Sequence, residues 1–260
     1  MPPSRTFSLD RRIFNPTLYS NLLKLWFHGL PSGASAPTEQ LEKRWFGIGA
    51  NESEKASFEL ECRTEFHEAL SSISPARFPL PTFSDVETDR NHYPDIAAPF
   101  LEQFHHDGSG DADAALGLTL LLDQIPRNIF RKDQALIYGH YDRIARAVFY
   151  ALHKYNLDQH ERYFWSPPYR QWFYMPPMHS ESLADHQLLE QTLEVLKLKL
   201  KTKGDDAGAQ AVGQVVSFDE KHLDLLQKFG RYPYRNHWLG RETTDEERKW
   251  LEEGGERFGS

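Results

Sequence analysis

Apolar residues recur at helical spacing along most of this chain. Leu18, Leu22, Leu25 and Trp26 lie three or four positions apart, the interval that gathers side chains on one helix face. Asn15-Pro16 just before them reads as an N-cap followed by proline at the first helical position. Thr38 is placed to cap a short helix carrying Leu41 and Trp45, and a longer helix is expected over 53–71. The clearest stripe is Ile137, Tyr141, Ile144, Val148, Ala151, Leu152 and Tyr155. Leu189, Leu193, Leu196 and Leu200 repeat in the same way after Glu181, as do Phe218, His222, Leu225, Leu226 and Phe229 before Gly230. Thr244-Asp-Glu-Glu247 is a capping box that opens a terminal helix.

Two stretches break the pattern. Residues 75–110 are rich in Pro, Asp, His and Gly and read as a long loop with one short helix near 97–105. Residues 201–214 are rich in Gly, Ala and Asp and read as a mobile insert. Between the two, helical order resumes at Asp111 and is expected to stop at Ile125-Pro126, because proline has no N–H to donate to the preceding turn. Val215-Val216 is the best strand candidate and is too short to pair. The expected fold is all-α: stacked antiparallel helices in a single domain over 1–260.

Composition narrows the function classes. With 260 residues, 39% hydrophobic and 13% aromatic, the chain can bury a sizeable core dominated by rings. The formal charge of -8 argues against binding along a nucleic-acid backbone, so no DNA partner is expected, while contact with one nucleic-acid end stays open. Cys62 is the only cysteine, and its step with Phe58, Phe66 and Leu70 marks a buried, inert thiol rather than a nucleophile or metal ligand. The first twelve residues show no apolar signal segment, and the apolar run around Leu116 to Leu122 is too short to span a bilayer. A soluble cytoplasmic protein with no membrane partner is the expectation.

Three polar clusters interrupt the apolar helices. In Leu120-Leu-Leu-Asp-Gln-Ile-Pro-Arg-Asn-Ile-Phe-Arg131, Asp123 closes a buried run, so its charge requires a partner. Asp123, Arg127 and Asn128 either lock a helix corner or face a ligand. In the second cluster, from Phe173 to Gln187, Pro176-Pro177 end one segment and Ser180 or Ser182 caps the next. That puts His179 and Glu181 at a helix entrance, where a histidine beside carboxylates can act as a general base. His179, Glu181, Asp185 and His186 also admit a metal reading, but no matching pair recurs elsewhere at ligand spacing, and no metal is assigned. A Ser180 or Ser182 nucleophile lacks the strand-and-elbow context. The third cluster is 229–244, where Arg231, Arg235 and Arg241, with Lys228 just ahead, sit among Tyr232, Tyr234, Asn236, His237 and Trp238 with no acidic residue before Glu242. Its arginines either face a cleft and hold an anion or bond to Asp123, Glu181, Glu61 and helix C-termini as a structural lattice.

The same three segments carry a resemblance. Leu-Leu-Leu-Asp-Gln-Ile-Pro-Arg-Asn-Ile-Phe-Arg, Met-His-Ser-Glu, and Phe-Gly-Arg-Tyr-Pro-Tyr-Arg-Asn with Leu-Gly-Arg-Glu-Thr-Thr resemble, in order, the hallmark motifs of the uncharacterised-domain family numbered 924. Leu25-Trp26-Phe27 and Arg44-Trp45-Phe46 fit its start, and the resemblance runs from about Thr17 to Leu251. It implies an all-α fold similar to tetratricopeptide-repeat proteins. The 75–110 and 201–214 stretches depart from the broad family. In its fungal branch the chain resembles arginine-containing cyclodipeptide synthases, which take arginine from arginyl-tRNA and build a diketopiperazine with a second amino acid.

That resemblance implies an aminoacyl-transferring enzyme with no metal or organic cofactor, working on the acceptor end of an aminoacyl-tRNA. Asp123 and Glu181 would grip the guanidinium, and His179 would take the proton. Arg127, Asn128 and Asn236 would line the substrate site. Lys228, Arg231, Arg235 and Arg241 would hold phosphates, with Trp238 or Tyr234 stacked on the terminal adenosine. Two other readings stand beside it: a non-catalytic helical scaffold for a peptide or protein partner, and a small-molecule hydrolase using His179 and Glu181.

Overall fold

The computed structural model describes residues 7–104 and 111–258. Among these residues it is all-helical, with no strand. Helix α1 (Pro16–Trp26) starts where Asn15 accepts the backbone N–H groups of Thr17 and Leu18, with Pro16 inside the cap. Helix α2 (Glu39–Phe46) is capped by Thr38 and ends at Gly47, whose φ of 68° a side chain would strain. Helix α3 (Glu52–Ser72) opens with an Asn51–Glu54 capping box.

The stretch expected as a long loop is more ordered than its composition suggests. It holds α4 (Val86–Arg90), capped by Asp85, and α5 (Tyr93–Leu101) with Pro94 in its first turn. The short helix expected near 97–105 therefore begins and ends earlier, and His105 lies outside the described residues. Tyr93, Ile96, Ala97 and Phe100 are buried, and it is this docking, not a long apolar stripe, that orders the segment.

Helix α6 (Ala112–Ile129) is the central rod. Leu116, Leu118, Leu120, Leu121, Leu122 and Ile125 are all fully buried, so this helix is covered on every side. It also runs through Pro126 instead of stopping before it. Proline costs the turn one hydrogen bond, but the surrounding core holds the last residues helical, and the Arg127 and Asn128 side chains donate back to the carbonyls of Asp123 and Gln124. Helix α1 crosses α6 closely at Gly117, where an added Cβ would sit 2.9 Å from Tyr19 Cβ.

Helix α7 (Gln134–Leu136) passes through a π turn (Ile137–Tyr141) into α8 (Asp142–Lys154), forming one unbroken rod. Short helices α9 (Glu161–Phe164), α10 (Pro167–Arg170) and α11 (Met175–Met178) connect to the long α12 (Leu183–Lys203). Helix α13 (Asp206–Phe229) returns along α12 after a two-residue turn, Gly204 (φ 83°) and Asp205. The expected mobile insert is thus helical on both sides of that turn. Leu200, Ala209 and Val212 are buried in the core, so the small residues of this stretch are packing positions between two helices rather than loop punctuation. Gly230 ends α13, and a Thr244–Glu247 capping box opens α14 (Asp245–Glu252). No helix among the described residues is long and apolar enough to cross a membrane.

The close α1–α6 crossing makes a specific demand. Gly117→Ala is expected to destabilise the protein by about 1–3 kcal/mol, because the added methyl overpacks against Tyr19. Gly213→Ala, on α13 with open space around it, is expected to be neutral or stabilising by up to ~1 kcal/mol. Urea denaturation of the two variants checks the contrast.

Candidate functional site

The carboxyl end of α6, the start of α8 and the residue after α11 converge on one buried polar cluster. Asp123 is fully buried, and Arg127 lies one turn further along α6. The Arg127 guanidinium takes both oxygens of Asp142 at 2.7 and 3.1 Å, and its Nη1 also donates to the Asp123 carbonyl. Asp142 is the first residue after the π turn, and that local widening brings its side chain to the α6 face. Burial alone would push the Asp123 carboxyl upward, but Arg127 and His179 outweigh it and hold it at about 2. Burial likewise works against the Arg127 charge, and Asp123 and Asp142 more than restore it.

Pro176 and Pro177 do not end a segment. They form the first turn of α11, and His179 follows that single turn as its C-cap. His179 Nδ1 lies 2.9 Å from Asp123 Oδ1. Because Asp123 is ionised, Nδ1 carries the proton and donates it, which leaves the Nε2 lone pair free. Nε2 has no hydrogen-bond partner among the described residues, and the side chain is 15% exposed. Burial, then the Arg127 charge, lowers the His179 pKa below its ordinary value, against the pull of Asp123. The result is an oriented, neutral imidazole presenting its basic nitrogen to the edge of the cluster.

The 229–244 segment supplies the opposite wall. Arg235 is 4% exposed, donates from Nη1 to the His179 carbonyl at 2.8 Å, and lies 4.4 and 4.6 Å from the Tyr138 and Tyr232 ring centres. Its Nε is buried without a partner, and no carboxylate pairs with it among the described residues. Arg241 grips Glu181 through two bonds of 2.7 and 2.9 Å, and Glu181 also accepts the Tyr232 N–H. Arg231 holds Glu247 in the same two-pronged way, with Asn236 donating to the same carboxylate.

The lattice reading of this segment is realised in Arg241, which takes Glu181 as expected, and in Arg231, whose partner differs from those expected. Arg231 takes Glu247, Glu61 takes Arg44, and Asp123 belongs to His179 and Arg127. Asn128 bonds within its own helix, Lys228 is exposed over the Phe229 ring, and Trp238 packs on His237 at the surface. Ser182 occupies the N-cap position of α12 without capping it: its hydroxyl oxygen accepts from Arg90 and its hydrogen goes to Glu87. His186 is held by Asp219 and the Ser180 carbonyl, and Asp185 by Arg90 and Tyr150. The four residues of the metal reading thus turn to separate partners, and no metal-holding group of acidic, His or Cys side chains is found among the described residues.

The cluster extends along a row that the sequence pattern concealed. Tyr138, Asp142, Arg146 and Tyr150 follow one another at intervals of four, so they share one face of the π turn and α8. That face is buried against Asp89, Tyr93, Asp123 and Asp185. The available signal was a charged or hydroxylated residue every fourth position inside an otherwise apolar helix. The neighbouring apolar stripe masked it. Two wider surface grooves, of about 480 and 640 Å³, lie along α1 and α3 and do not include these residues.

A family model described as "Bacterial protein of unknown function (DUF924)" matches residues 22–255. The chain belongs to this family. A solved structure of a protein of unknown function from Agrobacterium tumefaciens is 26% identical over 94% of this chain and 100% of its own, with a TM-score of 0.53. No curated protein matches the chain. The polar cluster just described falls wholly within the family's matched span.

Two outcomes are expected. Glu181→Gln leaves Arg241 without its counter-charge in a largely buried setting and is expected to destabilise by about 3 kcal/mol, more than a surface ion pair would; chemical denaturation beside Arg241→Met and the double variant checks it. His222 stacks on Phe258, and burial pushes its imidazole down to about 3. An unfolded chain binds that proton near the ordinary 6.5, so its contribution is intact above that pH and is lost as pH falls toward 3. His222→Gln is expected to flatten the fall in melting temperature over this window.

Proposed function

We propose that this protein is an acyl-transferring enzyme whose general base is His179, and that its reaction is tRNA-dependent formation of an arginine-containing cyclodipeptide from arginyl-tRNA and a second amino acid. The observation that carries the acyl-transfer part is the Asp123–His179 pair, whose Nε2 has no hydrogen-bond partner among the described residues, on a residue whose carbonyl is held by the buried Arg235. The resemblance of the three motifs to the fungal synthases supports the choice of substrate. An aminoacyl ester is already activated, so positioning supplies most of what is needed, up to ~7–11 kcal/mol. A placed base adds about 10²–10⁴-fold.

In this reaction the amine of one aminoacyl group attacks the ester carbonyl of the other. A C–N bond forms and the bond to the ribose oxygen breaks. The remaining amine then attacks the other aminoacyl ester in the same way, closing the ring and releasing the second ribose hydroxyl, so the second amino acid also enters as an activated ester. His179 Nε2 takes the proton from the attacking amine and returns it to the departing ribose oxygen. Asp123 holds the ring and stabilises the imidazolium formed in between. Arg235, fixed by aromatic faces rather than by a carboxylate, retains its full charge for the developing oxyanion or a terminal phosphate. Asp123 and Glu181 are engaged by His179 and Arg241, so the guanidinium of the substrate is assigned to neither. Arg231 and Arg241 act in this scheme as supports that fix the 229–244 turn. That engagement also favours a second reading, in which the same base activates water on a small ester or amide.

The test is incubation of the purified chain with arginine, arginyl-tRNA synthetase, ATP and tRNA, followed by mass spectrometry. Cyclo-arginyl product that disappears with ribonuclease and with His179→Gln is the expected result. No product from folded wild type, with ribonuclease making no difference, would overturn the tRNA reading. Ester hydrolysis lost in His179→Gln would then favour the second. Because the folded pKa of His179 lies below the ordinary imidazole value, the acid limb of kcat/KM is expected below pH 6.5.

A further inference from the structure

Arg235 is buried and makes a single hydrogen bond among the described residues, from Nη1 to the His179 carbonyl at 2.8 Å. Its Nε is sealed from water without a partner, and Nη2, less enclosed, has none either. Nε and Nη2 form one edge of the guanidinium, from which two N–H groups point in the same direction. Arg231, in the same turn, uses that edge to hold both oxygens of Glu247, at 2.7 and 2.9 Å. In Arg235 no protein group among the described residues takes it.

The neighbouring unpartnered groups are donors too. The Tyr234 hydroxyl is buried with no hydrogen-bond partner. Burial pushes its pKa up to about 12 and also raises that of Tyr138, so both hydroxyls keep their protons at neutral pH. The Arg235 guanidinium lies 4.4, 4.6 and 5.7 Å from the ring centres of Tyr138, Tyr232 and Tyr234. Rings on its faces keep water away and so strengthen its pull on an anion at its edge. Glu181 and Asp142 act on Arg235 only through space, since Arg241 and Arg127 hold them.

We propose that the Nε–Nη2 edge of Arg235, with the Tyr234 hydroxyl beside it, binds the carboxylate of a small organic acid. The donor set selects the class. One guanidinium balances one carboxylate, whereas a phosphate at about -1.5 to -2 would bring surplus negative charge toward Glu181 and Asp142. The planar fork also matches the two carboxylate oxygens, as it does in the Arg231–Glu247 pair. Tyr138 and Tyr232 are positioning residues, whose rings hold the guanidinium plane. Because Arg235 also holds the His179 carbonyl, a bound acid competes for the arginine that serves the oxyanion or phosphate in the acyl-transfer scheme. Only this competition rests on the acyl-transfer reading; the binding itself does not.

The experiment titrates the full chain with sodium acetate at constant ionic strength and reads the melting temperature, with inorganic phosphate as the contrasting anion. Wild type is expected to show a saturable stabilisation by acetate and not by phosphate. Arg235→Gln is expected to weaken acetate binding by about 10- to 100-fold, and Lys24→Gln on the surface to leave it unchanged. Tyr234→Phe keeps every charge and removes a hydroxyl that has no partner in the protein. It is therefore expected to leave the melting temperature without acetate unchanged or higher, while weakening acetate binding by about three- to tenfold. This variant decides the matter if Arg235→Gln does not fold. A wild-type response that never saturates, one shared equally by phosphate, or one equal in wild type and Tyr234→Phe would overturn the proposal. Binding is read without tRNA or turnover, so failure here and failure of the cyclodipeptide assay are separate results.

Discussion

Arg127 is the interaction on which the candidate site depends. Its guanidinium bridges Asp142 on α8 and the carbonyl and carboxylate of Asp123 on α6. Removing it would leave two carboxylates buried and close together with no counter-charge, a situation proteins avoid by unfolding or by taking up protons. With Arg127 in place, Asp123 stays ionised. An ionised Asp123 in turn fixes which nitrogen of His179 carries the proton. The chemistry available at Nε2 is therefore set by a guanidinium on the far side of the dyad.

The same economy explains the 229–244 turn. Three arginines, with Lys228 just ahead, in a segment whose sole acidic residue is Glu242 suggest a surface built to hold anions. In the fold, two of them are neutralised by Glu181 and Glu247, and their work is to hold the turn against α12 and α14. What that rigid turn presents is Arg235, stabilised between tyrosine rings that cannot cancel its charge. An aromatic sandwich keeps a buried cation available in a way that a carboxylate partner would not.

Charge in this protein is organised along a helix rather than at a pocket mouth. The π turn before Asp142 shifts the register of one long rod, so that Tyr138, Asp142, Arg146 and Tyr150 line up on the face turned toward α6 and α12. Apolar burial on the rest of the rod supplies the stability that allows such a row. Ile137, Ile144 and Val148 are almost wholly inaccessible, and their packing offsets the desolvation of the polar side.

Much of the fold was legible in the sequence because local rules decide it. Caps at Asn15, Thr38 and Thr244, the stop at Gly230, and the leucine repeat of α12 all follow from backbone groups and spacing that neighbours in the chain supply. The chain also named His179, Asp123, Glu181 and the tail arginines as chemistry-bearing, since charged residues beside buried runs need partners. What it left undecided was who partners whom. Arg231 with Glu247, Arg241 with Glu181, and His179 with Asp123 are separated by 16 to 60 positions, and only the packing of α6, α8, α11 and the tail brings them together. The 201–214 stretch departs from its loop-like composition for the same reason: Ala209 and Val212 look like loop residues until α12 is laid beside them. Spacing within a helix is a local property of the chain, whereas the assignment of counter-ions belongs to the tertiary structure.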